Sequence, residues 1–235
     1  MSALPKAAPT FAGVSYEEVL KRARDLVPVL RDRAAQSEMD RIMLPETLDD
    51  LHRSGLLRIL QPKRWGGMEF EFVAYVDIAC ELARGCASTG WNAANLLIHH
   101  WMRALYDERA QEEVWGQNPE ALIASGIAFP QGQGRVAKSG ADGGFVVGGR
   151  WNFSSGVNIA DWNMLAVTVR EGKERDGDGR GGDRVVDHRM CLLHKSEYQV
   201  VDDWQVLGMR STGSMTVVAK DVFVPAHRAL CMYEA

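Results

Sequence analysis

The chain has 235 residues, of which 46% are hydrophobic and 25% charged, and its formal net charge is −4. That length fits one large domain or two small ones, and the composition is that of a globular protein. It excludes a disordered or collagen-like chain, and without a basic surplus nothing draws the protein toward nucleic acid or an anionic membrane surface.

The opening segment MSALPKAAPTFAG holds one lysine and no apolar stretch, so residues 1–14 read as a loose tail rather than a signal peptide. Residues 15–120 predict a helical domain. Ser15 and Glu18 form an S-x-x-E capping box. Behind it Tyr16, Val19, Leu20, Ala23, Val27, Leu30 and Ala34 recur at helical spacing, with Pro28 placed to kink the run. Pro45 opens a second helix that Gly55 ends. Phe72, Val76, Ala79, Cys80 and Ala83 draw the apolar face of a third. Ser88 or Thr89 caps a fourth, running from Trp91 to Leu105, and Asp107 caps a fifth that Gly116 stops.

From Ala121 the period changes. Short β-branched runs at 121–129, 145–153, 164–169, 185–194, 198–201 and 215–224 predict strands, with Asp142-Gly143 as a hairpin turn. Gln131-Gly132-Gln133-Gly134 reads as a turn. The charged, glycine-rich stretch 171–183 reads as a surface loop. Helices followed by strands predict an α+β chain in two parts, a helical domain over 15–120 and a β domain over 121–235.

Cys80, Cys86, Cys191 and Cys231 form no CxxC pair, which argues against zinc, and free thiols in apolar patterns point to a reducing cytoplasm. No apolar run reaches the roughly 18 residues of a membrane span. The sequence contains no GxGxxG after a strand, and no GxxxxGK[ST], HExxH or GxSxG motif. Three segments are chemically distinctive, each with a plainer alternative. Trp91, His99, His100 and Trp101 share one predicted helix; Trp91 and His99, two turns apart, either line a pocket for a flat ligand or pack in a core beside a surface histidine. Trp151-Asn152-Phe153-Ser154-Ser155-Gly156 either presents donors to a planar heterocycle or closes a strand with a hydroxyl turn. Ser125 to Pro130 either exposes backbone N–H groups to a ligand or is an edge strand stopped by proline.

Taken in order, five segments carry a family resemblance. They are Leu56-Leu57-Arg58 to Trp65-Gly66-Gly67; His99-His100-Trp101 through Gln111 to Gly116; Gly149 to Gly156 with Asp161-Trp162; Leu207 to Ser214; and Asp221 to Pro225. Together they resemble the N-terminal helical and middle β domains of the acyl-CoA dehydrogenase fold. Within it they are most similar to the oxygenase components of two-component flavin-dependent monooxygenases, the branch of 4-hydroxyphenylacetate 3-hydroxylase, dibenzothiophene monooxygenase and the nitrososynthases. The dehydrogenases of this fold carry W-I-T-N-G where this chain has WNFSSG, and an acidic T-E-P element where it has AFPQGQGRV.

The resemblance implies an antiparallel β-barrel or sandwich in the second half, and a family C-terminal four-helix domain that this chain lacks. It implies reduced FMN or FAD supplied by a separate flavin reductase, O2 as co-substrate, and transfer of one oxygen atom to a small aromatic or amine substrate. It implies a cytoplasmic homotetramer without metal, nucleic acid or membrane partner. As for residues, it implies that Ser154 hydrogen-bonds at flavin N5, with Ser155 able to share the role. Trp151 would pack on the ring system, and Ser125 would contact flavin or substrate. His99 would hold or deprotonate a substrate hydroxyl, and Trp91 would form a pocket wall. Arg210 and Ser214 are further cofactor candidates. The rival expectations are an acyl-CoA dehydrogenase-like flavoprotein and a non-catalytic fragment with an incomplete flavin site.

Overall fold

The computed structural model describes residues 11–129, 131–138, 143–171 and 184–233. Five helices come first: α1 (Tyr16–Asp40), α2 (Pro45–Ser54), α3 (Ala74–Gly85), α4 (Ala87–Arg103) and α5 (Glu108–Trp115). Eight strands follow: β1 (Ile123–Gly126), β2 (Gly132–Ala137), β3 (Gly144–Ser154), β4 (Trp162–Glu171), β5 (Arg184–His194), β6 (Gln199–Val201), β7 (Met215–Pro225) and β8 (Ala229–Cys231). The α+β order read from the sequence holds.

Most helix ends sit where local chemistry puts them. The Ser15 side chain accepts from the Glu18 N–H, while the Glu18 carboxylate turns to Arg22 instead of closing the box. Helix α1 runs through Pro28 as one element. Gly55 caps α2 at φ 76°, and Asp107 accepts from the Arg109 N–H to start α5. Helix α4 starts earlier than predicted, after Cys86. Ser88 and Thr89 lie inside it, buried, and the Ser88 hydroxyl donates to Glu38.

Helix α3 buries a different face from the one predicted. Ala74, Ile78 and Leu82 point inward, whereas Phe72, Val76, Cys80 and Ala83 are exposed. The helix carries apolar residues on more than one side, so period alone does not select the core face. At the other end of the chain, Phe11 is buried against Arg58, so the segment read as a loose tail is anchored from that residue on; 1–10 lie outside the described residues. So do Pro130, Asp142 of the predicted hairpin turn, and 172–183 of the predicted loop.

The strands form one sheet in the order β6-β7-β3-β2-β4-β5-β8, with β1 also paired to β4. It is mostly antiparallel, as expected, with β1 and β2 both running parallel to β4. Segment 131–134, read as a turn, supplies the start of β2. Strands β1 and β2 lie end to end along one edge of β4, β1 pairing through Leu165 and β2 from Val167. Ala166 falls in the gap between them. The buried Trp151 indole donates to the Ala166 carbonyl at 2.8 Å. A Cβ on Gly132 would collide with that ring and that carbonyl, so the glycines that disguise this strand as a turn are what let it pass the tryptophan.

Strand β4 is buried on both faces. Leu165, Val167 and Val169 join the main core, and Trp162, Met164 and Ala166 join a second cluster around Trp115 and Tyr106. Helix α4 lies against β1 and against the Arg210–Thr212 turn. This contact brings helix, strand end and turn together.

Candidate functional site

Helix α4 carries His99 to β1, where the ring spans two residues on one side of the strand. Its Nδ1 lies 2.6 Å from the Ile123 carbonyl and its Nε2 lies 2.8 Å from Ser125 Oγ. Burial pushes the His99 pKa down to about 4, against the opposing pull of the Ile123 carbonyl, so near neutral pH the ring is uncharged. A carbonyl only accepts, so the single ring proton sits on Nδ1, and Nε2 accepts the Ser125 hydroxyl proton. A buried imidazole with that pKa makes a poor base at pH 7. Both ring nitrogens of His99 are thus engaged by protein groups, Ile123 and Ser125.

Trp91 and His99 do not share a face. A helix advances about 100° per residue, so eight positions leave them about 80° apart. Trp91 is 51% exposed while His99 is buried. His100 is also fully buried, edge-on to Trp115, and burial lowers its pKa to about 3.

The end of β3 settles the serine pair. Phe153 takes a left-handed φ of 63° where the pairing with β7 shifts register between Trp151 and Ser154. That turn throws the Phe153 ring outward and sends the two serines to different partners. Ser154 is fully buried and its oxygen accepts from the Asn163 amide at 2.9 Å. Ser155 accepts from the Trp91 indole N–H at 3.0 Å and lies 2.8 Å from Ser214 Oγ. Ser155, not Ser154, therefore belongs with Trp91 at the mouth. Strand alternation does not carry through to these serines, because the pairing with β7 is irregular there. Trp151, expected to lie on a ring system, is instead filling the gap in the sheet.

The Arg210–Thr212 turn brings Ser214 in. Glu38, near the end of α1, accepts from the backbone N–H groups of Arg210 and Ser211 and from the hydroxyls of Ser211 and Ser88. Burial alone would raise its pKa, but these hydrogen bonds from Ser88, Ser211 and Arg210 outweigh it and leave the carboxyl below its ordinary value. Arg210 takes part through its backbone; its buried Nε has no partner among the described residues. Thr212 lies 2.7 Å from Ser214 and donates to the Met209 carbonyl at 2.9 Å. Nothing in the sequence singled out Glu38, which reads as one more polar residue on a helix surface. Thr212 lay inside a quoted segment but carried no signal of its own.

The structure thus brings Trp91, Ser155 and Ser214 together, sets His99 against Ser125 about two turns further along α4, and buries Ser154 and Trp151. Ser125 and Ser155 are each 8% exposed. Around them the apolar side chains of Trp91, Ile127, Phe129 and Phe153 are open to solvent. An indole N–H, several hydroxyls and aromatic surfaces suit a planar heterocycle carrying N–H and C=O groups, so the residues present fit a flavin. Among the described residues no group of three or more His, Cys, Asp or Glu side chains is placed to hold a metal ion. No helix among them is long and apolar enough to cross a membrane.

Residues 16–115 match the family model "Acyl-CoA dehydrogenase, N-terminal domain". The chain is 42% identical over 214 residues to the flavin-dependent monooxygenase oxygenase subunit HsaA of Mycobacterium tuberculosis (strain CDC 1551 / Oshkosh), covering 91% of this chain and 50% of that protein. It is 34% identical over 235 residues to the oxygenase component of the FADH(2)-dependent resorcinol hydroxylase of Rhizobium sp. (strain MTP-10005), covering 100% of this chain and 53% of that protein. Among solved structures, the 3-HSA hydroxylase of Rhodococcus sp. RHA1 superposes with a TM-score of 0.83 at 37% identity, covering 92% of this chain and 53% of that one. The chain spans about half the length of the curated relatives it matches. Residues 16–115 are thus similar to an acyl-CoA dehydrogenase N-terminal domain, and the chain has the acyl-CoA dehydrogenase-like fold, with flavin-dependent monooxygenase oxygenase components among the proteins it is similar to.

Proposed function

We propose that this chain forms the flavin- and substrate-facing part of the oxygenase component of a two-component flavin-dependent monooxygenase. It would take reduced flavin from a separate reductase and, with O2, hydroxylate a small phenolic compound. The observation that carries this reading is the pair of hydroxyls, Ser125 and Ser155, each 8% exposed, the first held by the buried His99 and the second by the half-exposed Trp91 and by Ser214. The similarity to oxygenase components supports it. An FADH(2)-dependent relative favours FAD over FMN.

The flavin supplies the oxygen-transfer chemistry; the protein binds, orients and keeps water out. Trp91, Ser155 and Ser214 would hold the ring, with Trp91 forming a wall. Ser125, held by His99, would accept a hydrogen bond from a substrate hydroxyl and fix its ring in place. His99 stays neutral throughout and acts by orienting Ser125. Four free thiols among the described residues support a reducing compartment such as the cytoplasm. The exposed Phe72, Val73, Val76, Trp101 and Leu105 support an assembly that covers them, for which a homotetramer is the proposed form.

Chemically reduced FAD, O2 and a panel of small phenols supplied to the protein test the activity. The reading expects a product one oxygen atom heavier, identified by mass spectrometry. Flavin binding without any oxygenated product from the whole panel would contradict it.

A further inference from the structure

Arg103 closes α4 with a guanidinium that is fully buried. None of its three nitrogens has a hydrogen-bond partner among the described residues. Burial lowers its pKa to about 10, so it still carries its charge near neutral pH. The Tyr106 ring, whose centre lies 4.6 Å from the guanidinium carbon, takes up part of that charge but offers the N–H groups no lone pair. The carboxylates whose field reaches it are engaged elsewhere: Glu113 by His227 and Arg228, and Asp107 by Arg109. A buried cation without acceptors is strongly destabilising, so this one weakens the fold unless an acceptor reaches it.

Tyr106 and Asp107 also line a cavity of about 700 Å³ between the end of α4 and β8. Its wall is apolar at Trp101, Leu105 and Leu230 and basic at Arg109 and Arg189, and Asp107 is its one carboxylate among the described residues. That volume and that mixture of walls suit a small organic anion.

We propose that this cavity binds an aromatic carboxylate and that Arg103 is the counter-charge that recognises it. The ligand's ring lies on Trp101, Leu105 and Leu230. Its carboxylate passes beside Tyr106 to the guanidinium, whose planar fork of donors matches two carboxylate oxygens. An uncharged aromatic molecule leaves the guanidinium without acceptors, and an inorganic anion leaves the apolar wall bare, so the site takes a ligand that has both parts. Trp91, Ser125 and Ser155 are not among the residues of this cavity, and the proposal does not rest on the flavin reading.

The test titrates sodium benzoate into the protein and follows thermal unfolding and tryptophan fluorescence, with benzyl alcohol and sodium chloride at matched ionic strength as comparisons. Benzoate should raise the melting temperature of the wild type saturably, and the two comparisons should not. Arg103→Met should melt at or above the wild-type temperature without ligand, because it removes an unpaired buried charge. It should bind benzoate at least about tenfold more weakly. Arg103→Lys keeps the charge without the fork; it should also bind benzoate more weakly than the wild type, and it replaces the methionine variant should that fail to fold. Ser125→Ala should keep the full response, which locates benzoate away from β1. A wild type indifferent to benzoate, an equal rise with chloride, an affinity unchanged by Arg103→Met, or a response lost in Ser125→Ala would each overturn the proposal.

Discussion

Ser125 Oγ lies 2.8 Å from His99 Nε2, and the opposite ring nitrogen lies 2.6 Å from the Ile123 carbonyl. Helix and strand therefore fix each other through one imidazole, and the Ser125 proton points inward. His99→Gln keeps one donor and one acceptor but not their spacing. It should lower stability by about 2 kcal/mol, because a buried carbonyl or hydroxyl loses its partner. Ser125→Ala should cost less stability and more affinity for a phenolic ligand. Urea unfolding and phenol titration of both variants check this. A His99 variant as stable as the wild type would remove the ring from its structural role.

The same burial makes stability depend on pH. His99 is lowered to about 4 and His100 to about 3, and His52 is lowered too, in each case with burial as the main cause. These groups take up protons on unfolding at a pH where the native state keeps them neutral. Their contribution is present in full above about pH 6.5 and is lost as pH falls toward 4. For His99 alone it is on the order of 3 kcal/mol. Unfolding free energies at pH 7.5, 6 and 5 should fall steadily, and His99→Gln should flatten the fall. A curve level over that range would show that the imidazoles reach water in the native state.

The serine pair separates stability from binding. Ser154→Ala strips the Asn163 amide of its buried acceptor and should cost about 1–2 kcal/mol, with flavin affinity unchanged. Ser155→Ala should weaken flavin binding with little loss of stability, because it is a rim group whose removal leaves Trp91 able to meet water. The reverse pattern would mean that the turn at Phe153 does not direct the serines as described.

Much of the fold was legible because it is written in local chemistry: Ser15, Asp107 and Gly55 mark helix ends, and β-branched runs mark β3, β4, β5 and β7. Among the candidate residues, Trp91 meets Ser155, Ser155 meets Ser214, and His99 meets Ser125. What failed depends on distant contacts. Ser154 and Ser155 turn to different partners because of the left-handed Phe153 just before them. Strand β2 was hidden because its glycines answer to Trp151, a partner brought in by folding. Glu38 and Thr212 act through the tertiary meeting of α1 with the Arg210–Thr212 turn, which no spacing along the chain encodes.

Trp151 makes the sheet argument testable by itself. Trp151→Phe removes the indole N–H from the Ala166 carbonyl and leaves space in the gap between β1 and β2. It should cost about 3 kcal/mol. Gly132→Ala should be comparably harmful through the clash of its Cβ with the same ring. Thermal unfolding of the two variants, alone and combined, should show less than additive loss, because both act on one contact. Full additivity would place the two residues apart.

The central claim is that Trp91 and Ser155 sit at the mouth of a flavin site. Anaerobic titration of this chain with reduced FAD, for the wild type and for Trp91→Ala and Ser155→Ala, tests it most directly. The account predicts saturable binding to the wild type and about tenfold weaker binding to each variant, with native circular dichroism retained. No binding to the wild type, or binding that neither substitution changes, would contradict it.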